Sequence, residues 1–159
     1  MDRSSVAVIT DVHGNLPALE AALARIDELG IEQIYCGGDL VGYGPWPNEV
    51  CELIQEREIP TIYGNYDYAI ARDLEDCGCA YITKEDRELG QRSVAWTLVH
   101  TDRRSKDFMR DLPFDLRFDL GDRPAHQGRL RHQAAATSLS ANSVGRPAAA
   151  TSRATASAS

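Results

Sequence analysis

The chain has 159 residues, enough for one domain with a proper core and too few for two of ordinary size. Its 43% hydrophobic and 26% charged content excludes a disordered or fibrous class. The net charge of −7 is uneven, because Pro124 to Ser159 carries four arginines (Arg129, Arg131, Arg146, Arg153) and no acid. The first 123 residues are therefore strongly acidic, which argues against binding nucleic acid, since phosphate contacts need clustered Lys and Arg. If such a body handles phosphate, something other than side-chain cations must supply the positive charge, and a metal site would do so. No apolar run reaches the roughly eighteen residues of a membrane span. MDRSSVAVIT lacks the cationic stretch and apolar segment of a secretory signal, so the expected compartment is the cytoplasm.

In chain order, Val6 to Thr10 is a short β-branched run that reads as a buried strand. Leu19, Ala22, Leu23, Ile26 and Leu29 recur at helical spacing, with Asn15 as cap, Pro17 in the first turn and Gly30 as stop. Ile34 to Cys36 is a second strand, followed by the glycine-rich loop GGDLVGYGP. Val50, Leu53 and Ile54 mark a second helix entered through Pro45 and Pro47, and Ile59 to Tyr63 a third strand. Alternating strands and helices imply right-handed crossovers and a parallel sheet. Beyond Asp67, Thr83 with Asp86 predicts a capped helix carrying Leu89, Val94 and Leu98. Thr101 is expected to cap another, with Phe108, Met109 and Leu112 on its apolar face and Pro113 ending it. The alternation in DLRFDL (115–120) predicts a half-buried strand, the last element expected.

From about Pro124 the sequence turns Ala/Ser/Thr/Arg-rich, with no aromatic residue and no apolar period, and is expected to be disordered. The expected organisation is a domain over 1–122 and a low-complexity tail over 123–159. A frame shift near residues 121–124 would also generate such a composition. Of the four cysteines (Cys36, Cys51, Cys77, Cys79), none has the spacing of a zinc site, and all read as reduced thiols.

Polar groups stand at the carboxyl ends of the three predicted parallel strands: Asp11 and His13, then Asp39, then Asn65 with Asp67. Ligands of open α/β sheets bind outside those ends. Asp11 and His13, two residues apart on extended chain, point the same way. One carboxylate and one imidazole form half a site for a divalent transition metal. Asp39 offers two oxygens that can bridge metals, and Asn65 a neutral carbonyl oxygen. Singly, each reads as a cap or turn residue; in order and at similar separations, they point to a cation site.

The series D-V-H-G-N (11–15), G-G-D-L-V-G-Y-G-P (37–45) and G-N-Y-D (64–67) resembles the calcineurin-like metallophosphoesterase superfamily, in particular its small bacterial phosphodiesterase-like branch, over about residues 5–120. The resemblance implies an α/β fold, here the N-terminal half of a four-layer α/β/β/α sandwich with a disordered C-terminal tail. It implies two divalent cations, Mn²⁺ first, with Fe, Zn²⁺ or Ni²⁺ as alternatives. Asp11 and His13 would bind the first, Asp39 would bridge, and Asn65 would bind the second. The implied chemistry is hydrolysis of a small phosphate mono- or diester. Two cations about 4 Å apart would activate a water and clamp the phosphoryl oxygens. Asn65 and Tyr66 are the catalytic residues it implies.

Tyr66 stands where many relatives have a histidine that protonates the leaving group, and a phenol with a pKa near 10 is a weaker proton source. The resemblance also implies three further histidine ligands from a later segment. This chain has only His13, His100, His126 and His132, and His100 reads as an exposed helix-end residue. Without a second sheet, an apolar face would stay uncovered and promote self-association. A phosphotransfer domain with Asp11 as nucleophile leaves His13 unexplained, and GGDLVGYG matches neither nucleotide-binding glycine motif. The alternative outside catalysis is an incomplete, inactive fragment that binds metal weakly.

Overall fold

A computed structural model describes residues 5–119, 127–131 and 138–141. Strand β1 (Val6–Ile9) leads through helix α1 (Leu16–Glu28) to β2 (Gln33–Cys36), and α2 (Pro47–Glu56) follows. Then come α3 (Asn65–Ala71), α4 (Lys84–His100), α5 (Arg103–Asp111), and the strands β3 (Asp115–Asp119), β4 (Gln127–Arg131) and β5 (Ser138–Ala141). β1 and β2 are parallel, paired from Val6 with Gln33 to Ile9 with Cys36. β3, β4 and β5 form a separate antiparallel sheet in that order.

The local signals act largely as anticipated. Asn15 Oδ1 accepts from the Ala18 amide at 3.2 Å, which satisfies one of the donors that a helix start leaves open. Pro47 opens α2, where its missing N–H costs nothing. Thr83 and Asp86 cap α4 reciprocally, at 3.0 and 3.3 Å.

Successive side chains of β1 and β2 point to opposite faces, and each face meets its own layer. Ile9, Ile34 and Cys36 face the helices, in a core built from Leu19 and Leu23 of α1, Val50 and Ile54 of α2, Ile70 of α3, Val94 of α4 and Met109 of α5. Val6, Val8 and Tyr35 face the other way, against Ile62, Leu116, Phe118 and Leu130. The Phe118 ring stacks on Tyr35 with centroids 4.1 Å apart. The order of layers is helices, parallel sheet, antiparallel sheet: a mixed α/β fold of the expected sandwich type.

Five details depart from the sequence reading. Residues 59–63 form no full strand; they meet β2 through one parallel bridge, Cys36 to Thr61, because Pro60 has no N–H to extend the ladder. Helix α3 was not anticipated, since its seven residues are too few to display a period. Asp102, not Thr101, caps α5, accepting from the Ser105 amide at 2.7 Å, while the Thr101 hydroxyl donates back to Thr97 O. Leu89 does not enter the core and is 55% exposed; Gly90 takes the inward position on α4. Finally, β3 is not the last element, for 127–131 and 138–141 pair as strands, and β4 brings Leu130 onto the face that was expected to lie open. Much of the tail expected to be disordered, with His126 and His132, lies outside the described residues.

The second sheet is anchored by Phe118 and Leu130, 7% and 0% exposed. Phe118→Ala should lower stability by about 3 kcal/mol or more and increase binding of an apolar dye as Val8 and Tyr35 are uncovered. Urea denaturation measures the first effect, and a loss below about 1 kcal/mol would mean that this cluster does not hold the two sheets together.

Candidate metal centre

The parallel pairing does not stop where β1 and β2 stop. Gly37 N–H donates to Ile9 O at 2.8 Å, Asp11 N–H to Gly38 O at 3.0 Å, His13 N–H to Asp39 O at 2.8 Å, and Gly14 N–H to Leu40 O at 2.7 Å. These bonds zip the two loops together beyond the carboxyl ends of the strands. Asp11 and His13 thereby come against Asp39, and one ligand atom from each lies within 4.8 Å of those of the other two.

The three residues are graded in depth. Asp39 is buried at 5% exposure, the His13 side chain is 25% exposed and that of Asp11 54%. Asp11 and His13 line an open cleft of about 430 Å³, with Asn15, Tyr43 and Trp46. His13 Nδ1 donates to Val41 O at 3.1 Å, which turns Nε2 toward Asp11 Oδ1, 3.8 Å away. A ring nitrogen that donates to a carbonyl while the other is held for a cation is the usual outer support of a metal-bound histidine.

Backbone strain is concentrated at the same place. Among the described residues, six other than glycine have positive φ. Glu58 and Asp73 directly follow the caps of α2 and α3, where the left-handed conformation is common. The other four are Asp11 (55°), His13 (49°), Asp39 (52°) and Tyr43 (57°). Such conformations cost about 1 kcal/mol or more each and persist where surrounding structure enforces them, commonly at functional sites.

Asp67 holds the loop from beneath. Its fully buried carboxylate accepts from Leu40 N–H at 2.8 Å, Val41 N–H at 3.3 Å and Gly64 N–H at 2.9 Å. Burial pushes the group up to about 7, the negative charge of Asp39 adds to this, and the three N–H donors oppose it. A cation at Asp39 would relieve part of that repulsion. Asp39 Oδ1 also accepts from Tyr66 N–H at 2.9 Å. Gly64 must be glycine here, since a Cβ would fall 2.2 Å from Asp39 Oδ1.

Asn65 lies between Gly64, packed against the Asp39 carboxylate, and Tyr66, whose N–H donates to it. Its Nδ2 donates to Cys77 O and Cys79 Sγ, each at 3.1 Å, so the amide nitrogen is engaged away from the carboxylates and Oδ1 is left over. Cys77 and Cys79 are joined by a disulfide, which corrects their reading as reduced thiols. Gly78, at φ +69°, turns the chain so that the two Cα atoms stand 5.4 Å apart, within the span of a bridge. Cys36 and Cys51 are free and buried, and burial raises the Cys36 thiol to about 12, which makes it inert packing.

Tyr66 is 1% exposed. Its ring lies edge-on to His13 at 5.4 Å, and its hydroxyl sits among those of Tyr43, Tyr81 and Ser93 without a hydrogen bond of ordinary geometry. Burial, reinforced by the Tyr43 hydroxyl, raises its pKa further. His100 lies at the exposed end of α4 against Trp96, as its sequence position suggested. Sequence reasoning passed over Tyr43, whose ring packs edge-on to His13 at 4.9 Å, and the structural weight of Asp67. A tyrosine between two glycines was the available signal for the first; burial, which decides the second, leaves no mark on composition.

A profile of the calcineurin-like phosphoesterase family matches residues 4–133. The chain belongs to the calcineurin-like phosphoesterase family. It is 38% identical over 113 residues to an uncharacterized protein of Methanocaldococcus jannaschii, covering 71% of this chain and 44% of that protein. A metallophosphoesterase from Sphaerobacter thermophilus is similar in structure, with 30% identity, a TM-score of 0.52, and coverage of 70% of this chain and 42% of that one. A hypothetical protein from Pyrococcus horikoshii gives 30% identity and a TM-score of 0.60, over 73% and 50% of the two chains. The chain thus spans about half the length of the relatives it matches. The family match runs through β4, which the sequence reading had placed in the tail.

Removing the Asp67 carboxylate orphans three buried N–H groups. Asp67→Ala should therefore lower stability in metal-free buffer by about 3 kcal/mol or more, read from the urea midpoint. An effect under about 1 kcal/mol would show that the metal-site loop is held by something else.

Proposed function

We propose that this phosphoesterase-family chain hydrolyses a small phosphate mono- or diester with divalent cations held by Asp11, His13, Asp39 and Asn65, Mn²⁺ first among them. The observation that carries the proposal is the convergence of one imidazole, oriented by Val41 O, and two carboxylates, all on strained backbone, at the tips of parallel strands. That donor set fits a first-row divalent cation. When bound, the cations supply Lewis acidity toward the phosphoryl oxygens and an acidified water as nucleophile. The chain's own part is to hold the ligands. Asp39 would serve both cations, His13 would offer Nε2 to the first, and Asn65 would offer Oδ1 to the second, its Nδ2 being occupied.

Tyr66 keeps its proton at physiological pH, and its hydroxyl makes no hydrogen bond of ordinary geometry with the described residues, which suits it to donate to the phosphoryl group or leaving oxygen rather than to transfer a proton. The acidic body favours a small phosphorylated molecule over nucleic acid. Among the described residues no helix is long and apolar enough to cross a membrane, and the cytoplasm is the proposed compartment.

A second reading, a chain that binds metal without turnover, is favoured by one fact: among the described residues only Asp11, His13 and Asp39 cluster as ligands. One experiment separates the two. Saturating Mn²⁺, at about 100 times its dissociation constant, should stabilise the full chain by about 2.7 kcal/mol per site, and bis-p-nitrophenyl phosphate should be hydrolysed only with metal present. Asp11→Asn, at an exposed position tolerant of its backbone angle, should leave metal-free stability intact, weaken Mn²⁺ binding at least about tenfold and abolish turnover. Binding without turnover would select the second reading; no response to Mn²⁺, or one indifferent to Asp11→Asn, would sink both.

A further inference from the structure

Between α3 and α4 the chain runs from Arg72 to Thr83 without helix or strand, and the Cys77–Cys79 bridge cross-links it there. The bridge spans a single residue, Gly78, which is exposed. A disulfide stabilises a fold chiefly by closing a long loop of the unfolded chain, and this loop is about as short as a bridge can close. The fold as a whole therefore gains little from it, and what the bridge fixes is local. In the reducing compartment proposed for this chain, such a bridge is usually redox-sensing rather than permanent.

Two contacts identify what it fixes. Asn65 Nδ2 donates to Cys79 Sγ and to Cys77 O, each at 3.1 Å, so the amide is held by both halves of the bridge. The Tyr81 hydroxyl lies 3.5 Å from Cys77 Sγ, and in a bridged pair only the hydroxyl has a hydrogen to give. The two sulfurs also differ in access. Cys77 is 5% exposed, whereas Cys79 is half-buried and lines a small pocket of about 90 Å³ with Glu75, Asp76 and the exposed Arg87. A thiol from solution therefore reaches Cys79 before Cys77, and Cys77, with Tyr81 donating to it, is the sulfur that leaves. Cys36 and Cys51 are fully buried and unbridged, and take no part.

We propose that Cys77–Cys79 is a thiol–disulfide exchange site, opened by a dithiol, and that its closed form holds the Asn65 amide in the orientation that offers Oδ1 to a cation. A thiolate of the dithiol bonds to Cys79 Sγ and breaks the bond between the two cysteines, whose electron pair leaves on Cys77 Sγ and takes up a proton. The second thiol of the reductant then displaces Cys79 Sγ, which is protonated in turn. Two electrons and two protons pass to the cysteine pair, and the dithiol becomes a cyclic disulfide. Once unbonded, the sulfurs must separate to van der Waals distance, so Cys79 Sγ and Cys77 O no longer hold Nδ2 between them. The effect on a cation rests on the metal-dependent reading of Asn65 given above; the hold on the amide rests on the hydrogen bonds alone.

The test compares the full chain oxidised with the same chain treated with dithiothreitol, the reagent then being removed in oxygen-free buffer. Iodoacetamide under native conditions should label both Cys77 and Cys79 in the reduced chain and neither in the oxidised one, read by peptide mass. In metal-free buffer the side-chain amide resonances of Asn65 should move on reduction and return on reoxidation. Calorimetric titration with Mn²⁺ should show one site weakened at least about tenfold by reduction and the other unchanged. By linkage, saturating Mn²⁺ should lower the midpoint potential of the pair by about 30 mV for each such tenfold. Cys77→Ser, its fold checked by a thermal melt, should match the reduced chain and ignore dithiothreitol. A pair that stays unlabelled after dithiothreitol, or Asn65 resonances that stay in place, would overturn the proposal. If Mn²⁺ binds with equal affinities in the two states, the proposal falls and the metal-centre reading stands. If the amide moves but neither state binds Mn²⁺, the metal-centre reading falls and the exchange site stands.

Discussion

The site depends on a parallel backbone ladder that outlasts its strands. β1 and β2 are only four residues each, yet the bonds from Gly37, Asp11, His13 and Gly14 carry their pairing on through residues 37–40. Side chains at strand tips ordinarily belong to mobile loops. Here the loops hold each other, and the backbone fixes Asp11 and His13 against Asp39 before any cation is considered. The left-handed conformations of all three follow from the same constraint, since a chain that must keep bonding while it turns away from the strand leaves the extended region.

A buried carboxylate is an unusual peg for such a loop. Asp67 satisfies three N–H groups at once, which no neutral side chain of its size can do. The cost is electrostatic: Asp67 is fully buried, and the negative charge of Asp39 lies near enough to raise it further. In a chain already rich in acid, this arrangement makes sense when positive charge arrives at Asp39. The structure and the charge balance thus point the same way.

The layers have a different origin. Alternation along β1 and β2 forces two faces, and two apolar faces require two covers. Helices supply one. The other is supplied by β3 with β4, where Leu130 is fully buried and Arg129 pairs with Asp115 at 2.6 Å. That ion pair is partly exposed and contributes little; burial around Phe118 and Leu130 does most of the holding.

Local chemistry was legible in the sequence. Asn15, Pro17, Pro47 and the Thr83–Asp86 pair act within a turn of their own position, so β1, α1, β2, α2 and α4 could be read directly, and the spacing of Asp11, His13 and Asp39 named the cluster that forms. What depends on partners distant in the chain could not be read. The segment around Thr61 is only a bridge because its neighbour and Pro60 decide how far the ladder runs. Leu89 lies in solvent because Tyr81 takes its place over Gly90. QGRLR reads as polar tail, yet it becomes a strand because β3 offers it an edge, and the Cys77–Cys79 bridge forms because a turn at Gly78 brings the two together. Periodicity and capping are properties of a few consecutive residues; pairing, burial and the direction in which Asn65 turns its amide are properties of neighbours that only the folded chain brings near.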